Sequence, residues 1–559
     1  MSNRSWLIGM GLATLSVIAA VVLFSLSNND VTAQAEPDRV IAHFGNSAEP
    51  SSLDPHRMTG TWESRIVGDL FVGLYTPDDV NNAIFGAAEA HEVSEDGLTH
   101  TLTIRERHMW SDGMPVTAYD FEYSFRRMVN PETAAEFASF HYFIENAQAI
   151  NFGEIDDLTQ LGVHALDERT LQIQLVRPMP YLNDFLKTYL FYPVPMHMVE
   201  EHGDRWSRAG TMVSNGPYRL VDWVPNDHIT VERNPYFFDT ANVQIDEVTY
   251  YPTDDASSAL RRFRAGEIDL DTDFPEQQIA WLRDNLPDET RTDSSTCVGY
   301  IVMNTQVPPF DDVRVRQALG MTINREEIAE LVLQLGETPA YSIVTPHAPN
   351  YPAPSPHWTT LSYEDRVNAA RALMEEAGFG PSNPLSFVYR YREGIKNRRA
   401  SIAIADMWRQ IGVDANLVNT EPAIHYDDLR SGDYQVGDAG WCPLLADPAE
   451  MLLLVHSDFA ELNSPNYFNP EFDTPYRDAL LSVDAETRNA LMAEAETIML
   501  RDMPLIPTYY YVNKNIVGPH IQGWVANPQN VHRTRWLSID ESLRPEQESF
   551  TDRIMRWFN

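Results

Sequence analysis

Three stretches of the 559-residue chain hold side chains that could do chemistry. The first, His197-Met198-Val199-Glu200-Glu201-His202, sets two histidines and two carboxylates on one predicted helix. A zinc motif needs its histidines four apart on one helical face; these stand five apart, about 140° around the axis, and cannot share a metal. The second, residues 439–450 (AGWCPLLADPAE), carries Cys442 between a tryptophan and a proline. A thiol attacks only as thiolate, and no base or cation stands close in sequence to lower its pKa. The third, residues 389–399 (YRYREGIKNRR), gathers five positive charges; these could meet a ligand carboxylate or coat a solvated loop that caps the next helix. No GxSxG elbow, Gly-rich phosphate loop or CxxC pair occurs, so no catalytic residue, metal or cofactor is expected.

The whole-chain balance narrows the partners. With 41 basic against 81 acidic residues the formal charge is -40; such a chain repels phosphate backbones and anionic lipid, which excludes nucleic-acid binding. Length suggests two to four domains, and 43% apolar residues suffice to fill their cores. An apolar run from Trp6 to Leu26, preceded by the single charge of Arg4 and followed by Ala33-Gln34-Ala35, reads as an export signal. The run is long enough to span a bilayer, so cleavage after Ala35 and retention as an N-terminal anchor both stand. No other stretch is comparably apolar. In an exported chain the even pair Cys297 and Cys442 is either a disulfide or two buried free thiols.

The elements that must position these residues alternate. Strand signals fall at residues 99–105, 170–176, 228–232, 248–251, 300–304 and 433–439. Helical signals fall at 118–128, 312–320, 325–335, 363–377, 398–411 and 485–501, several with Ser, Asn or Asp in capping positions. Interleaving of this kind predicts α/β sheets in more than one lobe.

Several segments also occur in a family order: Pro50-Ser51-Ser52-Leu53-Asp54-Pro55-His56, Asp69 to Leu74, Trp110 to Phe121, Ser214-Asn215-Gly216-Pro217-Tyr218, Glu232-Arg233-Asn234-Pro235, Ala265 to Asp269, Pro309 to Ala318, Asp447-Pro448 and Ile506 to Asn513. Over about residues 40–540 the chain resembles the oligopeptide and dipeptide type of extracytoplasmic solute-binding proteins that serve ABC transporters. The resemblance implies an α/β, two-lobed periplasmic-binding-protein type II-like fold with an extra inserted lobe and a hinge. Mapped here, residues 1–35 are the signal or anchor, 36–75, 195–296 and 511–545 lobe I, 76–194 the inserted lobe II, 297–510 lobe III, and 546–559 a tail. It further implies a periplasmic monomer that binds a peptide or peptide-like ligand by hinge closure and delivers it to ABC transporter permease subunits in the inner membrane, without catalysis or cofactor.

Ligand contacts implied by the resemblance are Thr59, Phe137, Tyr300, Asn304, Asn397, Asp438, Trp441, Cys442, Leu444, Asp447 and Tyr510. Peptide-binding members read Trp-x-x-Asp after the strand that ends at Trp441, the acid pairing with the ligand α-ammonium; here that position is Leu444. A buried ammonium left without its partner costs about 3–5 kcal/mol. Either Asp438 or Asp447 reaches the amine instead, or the ligand lacks a free amine there. In relatives with a disulfide the strand cysteine aligns nearer Tyr300 than Cys297, yet a Cys297–Cys442 bond is expected.

Overall fold

Strict alternation makes Thr99–Ile104 a half-buried strand, with His100, Leu102 and Ile104 inward and the threonines between them less covered. It pairs antiparallel with Ala88–Val93 and Thr170–Gln174, and the latter with Val163–Ala165. These four strands form their own sheet within the stretch expected as the inserted lobe. The helix Ala118–Val129, opened by a capping box between Thr117 and Asp120, packs on this sheet. The computed structural model describes residues 39–459 and 462–544. The expected signal or anchor and the 546–559 tail lie outside the described residues.

Among the described residues the main sheet has eleven strands. Its order is Val413–Thr420, Leu385–Arg392, Val436–Trp441, Thr290–Met303, Leu505–Val517, Leu270–Asp271, Ile41–Gly45, Glu247–Tyr251, His228–Arg233 and Tyr218–Val224, with Thr338–Pro339 paired to the 505–517 strand. The two central strands are antiparallel and long, 14 and 13 residues. The lobe boundaries expected at 296/297 and 510/511 fall inside these two strands, which run continuously from one half of the sheet to the other. Their register slips between Ser294 and Val298, leaving Cys297 outside the ladder pairs.

Around residues 298–303 and 505–511 the sheet is covered on both faces. On one, the helix Tyr363–Glu376 contributes Val367, Ala370 and Met374 and the helix Ile395–Arg409 Ile404, Met407 and Trp408 to a core with Phe387 and Phe310, and Trp408 Nε1 donates to the Leu319 carbonyl at 3.0 Å. On the other, Pro470–Leu481 and Ala485–Asp502 bring Phe472, Tyr476, Met492 and Met499 against Val298, Val302 and Leu505. Ser362, Asn469 and Asp484 cap three of these helices by accepting backbone N–H groups. The helix expected over 325–335 begins as Arg325–Glu327 and continues as a π-helix, Ile328–Leu333, ending where Gln334 turns to φ 69° and its N–H bonds five residues back to Ala329. Among the described residues no helix is long and apolar enough to cross a membrane.

Candidate ligand-binding site

The 439–450 stretch leaves the sheet at its centre. Gly440 faces Gly299 and Trp441 faces Val298 across the ladder, and Cys442, just beyond, is bonded to Cys297 in the register slip. Neither cysteine is free. At Gly440 a Cβ would stand 2.5 Å from the Tyr511 hydroxyl, so a side chain there would push the Tyr511 ring from its stack on Tyr509.

Residues 438–450 hold three carboxylates, two paired with remote arginines and the third with backbone N–H groups of its own loop. Asp438 receives the Arg392 backbone N–H at 2.7 Å and its Nε and Nη2 at 3.1 and 2.9 Å. Asp447 receives Arg488 Nη1 at 2.9 Å and Nη2 at 2.6 Å, and its Oδ1 also caps the helix Pro448–Leu452 through the Ala449 N–H at 2.9 Å. Glu450 reaches back so that one oxygen accepts the Leu444 N–H and the other the Leu445 N–H. The sequence alternative in which Asp438 or Asp447 waits for a ligand amine therefore meets two acids already bound by arginine.

Burial pushes the Glu450 carboxyl up to about 8, against the pull of its two N–H donors and with some help from nearby Asp447. A carboxyl raised in the folded state binds a proton that the unfolded chain, at its ordinary 4.5, has already lost. This group's contribution to stability is therefore present below 4.5 and is lost as pH rises through about 8. Wild type should lose stability relative to Glu450→Gln across that window, by at most about 1.4 kcal/mol per pH unit. Thermal unfolding of both proteins across the window checks this, and parallel curves would contradict it.

Beside the loop lies a cavity of about 990 Å³. Asn81, Tyr181 and Lys187 line it from one side; His347, Leu445, Asp447 and Arg488 from another; Gln529 closes it. Five prolines stiffen the wall: Pro180, Pro349, Pro352, Pro448 and Pro528. Arg488, while holding Asp447, also lies 4.5 Å from the Tyr181 ring centre. A polar chain crosses the rim: Lys187 Nζ donates to the Asn81 carbonyl at 2.6 Å and to Asp184 at 2.8 Å, Asn81 Nδ2 donates to Gln529, and Gln529 Nε2 donates to the Leu444 carbonyl. Four sequence-remote segments, around residues 81, 187, 444 and 529, are thus linked, with Gln529 touching Leu444.

The other expected residues are placed as follows. Tyr300 is buried in the sheet core. Trp441 is half-buried with its Nε1–H unpaired, and Cys442 is exposed. Tyr510 sends its hydroxyl to the Ser342 and Val344 carbonyls, and Asn304 donates to the Gly432 carbonyl; both hold the fold and neither borders the cavity. Asn397 bonds its own turn at Glu393, Thr59 is exposed beside the Glu63-capped helix Thr61–Leu70, and Phe137 packs edge-on to Phe140. Asp447 is the one expected residue on the cavity wall. Lys187, Tyr181, Glu450, Arg488 and Gln529 were not expected; Lys187 alone carried a signal, as one of three lysines in the chain.

The cation-rich stretch is mostly consumed by the fold. Arg390 pairs with Asp428, Arg392 with Asp438, and Lys396 lies 3.8 Å from the Tyr511 ring centre and 3.7 Å from Glu337. His197 pairs with Asp112 at 2.9 Å while His202 turns toward Glu201. Among the described residues no group of three or more His, Cys, Asp or Glu side chains is arranged to hold a metal.

Comparison with known proteins places this geometry. The sequence model of the bacterial extracellular solute-binding proteins, family 5 Middle, matches residues 83–461, more than half of the chain. The chain belongs to this family. It is 36% identical over 533 residues to the periplasmic oligopeptide-binding protein OppA of Salmonella typhimurium, covering 94% of this chain and 97% of that one. To the probable deoxycholate-binding periplasmic protein YgiS of Escherichia coli it is 34% identical over 543 residues, 96% and 99% covered. The solved Escherichia coli murein tripeptide binding protein MppA superposes with TM-score 0.77 at 33% identity, over 90% of this chain and 99% of that one. The α/β type II binding-protein fold implied by the sequence is the fold of this family.

Proposed function

We propose that this protein is the exported solute-binding component of an ABC importer, which captures peptides or peptide-like solutes and hands them unchanged to a membrane permease. The cavity of about 990 Å³ carries the reading, because a chamber walled by sequence-remote segments around residues 81, 181–187, 347–352, 445–448, 485–490 and 529 can hold a solute. The relatives named for oligopeptides and murein tripeptide support a peptide-type cargo, and the one named for deoxycholate extends the range beyond peptides. In this reading the halves of the main sheet act as lobes I and III and the separate four-stranded sheet as the inserted lobe. The 290–303 and 505–517 strands flex as the hinge, and Thr59, Phe137, Trp441 and Leu444 face the cargo as the lobes close. The protein acts as a monomer in the periplasm.

Incubating homogeneous protein with a defined peptide pool and following it by mass spectrometry tests this. Selective retention of some peptides, all recovered intact, is expected. Steady cleavage of any of them, abolished in Cys442→Ser, would overturn the reading.

A further inference from the structure

Resting on that reading, the side chains that cross from lobe to lobe show what holds the lobes in place. Among the described residues no strand ladder joins the four-stranded sheet to the main sheet, so the inserted lobe meets the last lobe through loops and side chains. Two cavities, of about 990 and 460 Å³, are each lined from both of these lobes, and Pro180 borders both. The seam beside Pro180 is narrow. On it Tyr181 of the inserted lobe faces Arg488 of the last, the guanidinium carbon 4.5 Å from the ring centre. Arg488 is set for this contact: Asp447, of its own lobe, holds Nη1 and Nη2, which leaves the flat face of the guanidinium for an aromatic ring. Nearby, Val483 of the last lobe meets Gly97 of the inserted one, where an added Cβ would stand 3.6 Å from Val483 Cγ1. Val483 stays 59% exposed, so the two lobes touch here without sharing a packed core.

A third contact brings in lobe I. The Gln529 side-chain carbonyl accepts from Asn81 Nδ2 of the inserted lobe, and Gln529 Nε2 donates to the Leu444 carbonyl of the last lobe. Asn81 is fixed in turn, buried and with its own carbonyl bound by Lys187 Nζ at 2.6 Å. One side-chain amide therefore bonds to both other lobes at once. These links act only at contact distance, so a small rotation between lobes breaks them.

We propose that Tyr181, Arg488 and Gln529 form a clasp that favours the closed arrangement of the three lobes, so that the residence time of the cargo is set in part by contacts between lobes. Interactions made in one arrangement alone raise its population by their own free energy. Tyr181 and Gln529 are then positioning residues, acting through the placement of the lobes.

Two measurements test this together: small-angle X-ray scattering of the purified, exhaustively dialysed protein, and release rates of two peptides recovered from the defined pool. Tyr181→Leu should shift the dialysed protein to a larger radius of gyration and speed release of both peptides by one common factor, about fivefold for a single cation–π contact. Gln529→Ala should act in the same direction, and Tyr181→Phe, which keeps the ring, should restore most of the closure. Scattering that stays at the wild-type value in both Tyr181→Leu and Gln529→Ala overturns the clasp and leaves the capture reading standing, as do release factors that differ between the two peptides, since they would make Tyr181 a contact to the cargo itself. A wild type that retains no peptide from the pool removes the peptide reading, and the scattering then decides the clasp alone. Gln529→Ala carries the test if the Tyr181→Leu protein unfolds.

Discussion

Reducing the Cys297–Cys442 bond should lower the stability of the chain by about 4–5 kcal/mol, the chain-entropy figure for closing so long a loop. The bond spans 145 residues and ties the register slip of the Thr290–Met303 strand to the residue just past its neighbour Val436–Trp441. Cys442 is exposed, so reductant reaches the bridge without prior unfolding. Guanidinium unfolding with and without reductant, and of Cys297→Ser/Cys442→Ser, should show the same drop in midpoint. Thiol labelling of denatured, unreduced protein should find no free cysteine. Unchanged midpoints or two labelled thiols would contradict the bond.

The second large effect concerns the pair of Asp447 and Arg488. Replacing Arg488 by Met leaves a buried carboxylate with its helix cap but no cation, at a cost of about 3–5 kcal/mol. Pairing that change with Asp447→Asn keeps the N-cap, since Asn caps as well as Asp, and removes the stranded charge, so the double variant should recover most of the loss. Denaturant midpoints for wild type, both single variants and the double variant form the cycle. Additive losses would show that the two side chains are independent.

How much of this was legible in the sequence depended on range. Thr99–Ile104 and the helices Tyr363–Glu376 and Ala485–Asp502 were readable because alternation, periodicity and capping residues are local signals. The long strand Thr290–Met303 was readable only from Tyr300 onward: its first half, TRTDSSTC, is polar and becomes a strand by pairing with residues 512–516, more than two hundred positions away. At the site, the Leu444 substitution and the cysteine pair could be seen in the chain. The arginines that occupy Asp438 and Asp447 could not, since they lie 46 and 41 residues away and no local pattern assigns a guanidinium to a particular acid. The link from Asn81 through Gln529 to Leu444 joins residues up to 448 apart and left no trace in sequence.

The central claim is that the chain captures a solute and leaves it unaltered. Native mass spectrometry of the protein isolated from its own cells, without refolding, tests it most directly. The account predicts one noncovalently held, peptide-type molecule per chain, released intact on unfolding. Recovery of cleaved fragments, or of an adduct on Cys442, would contradict it.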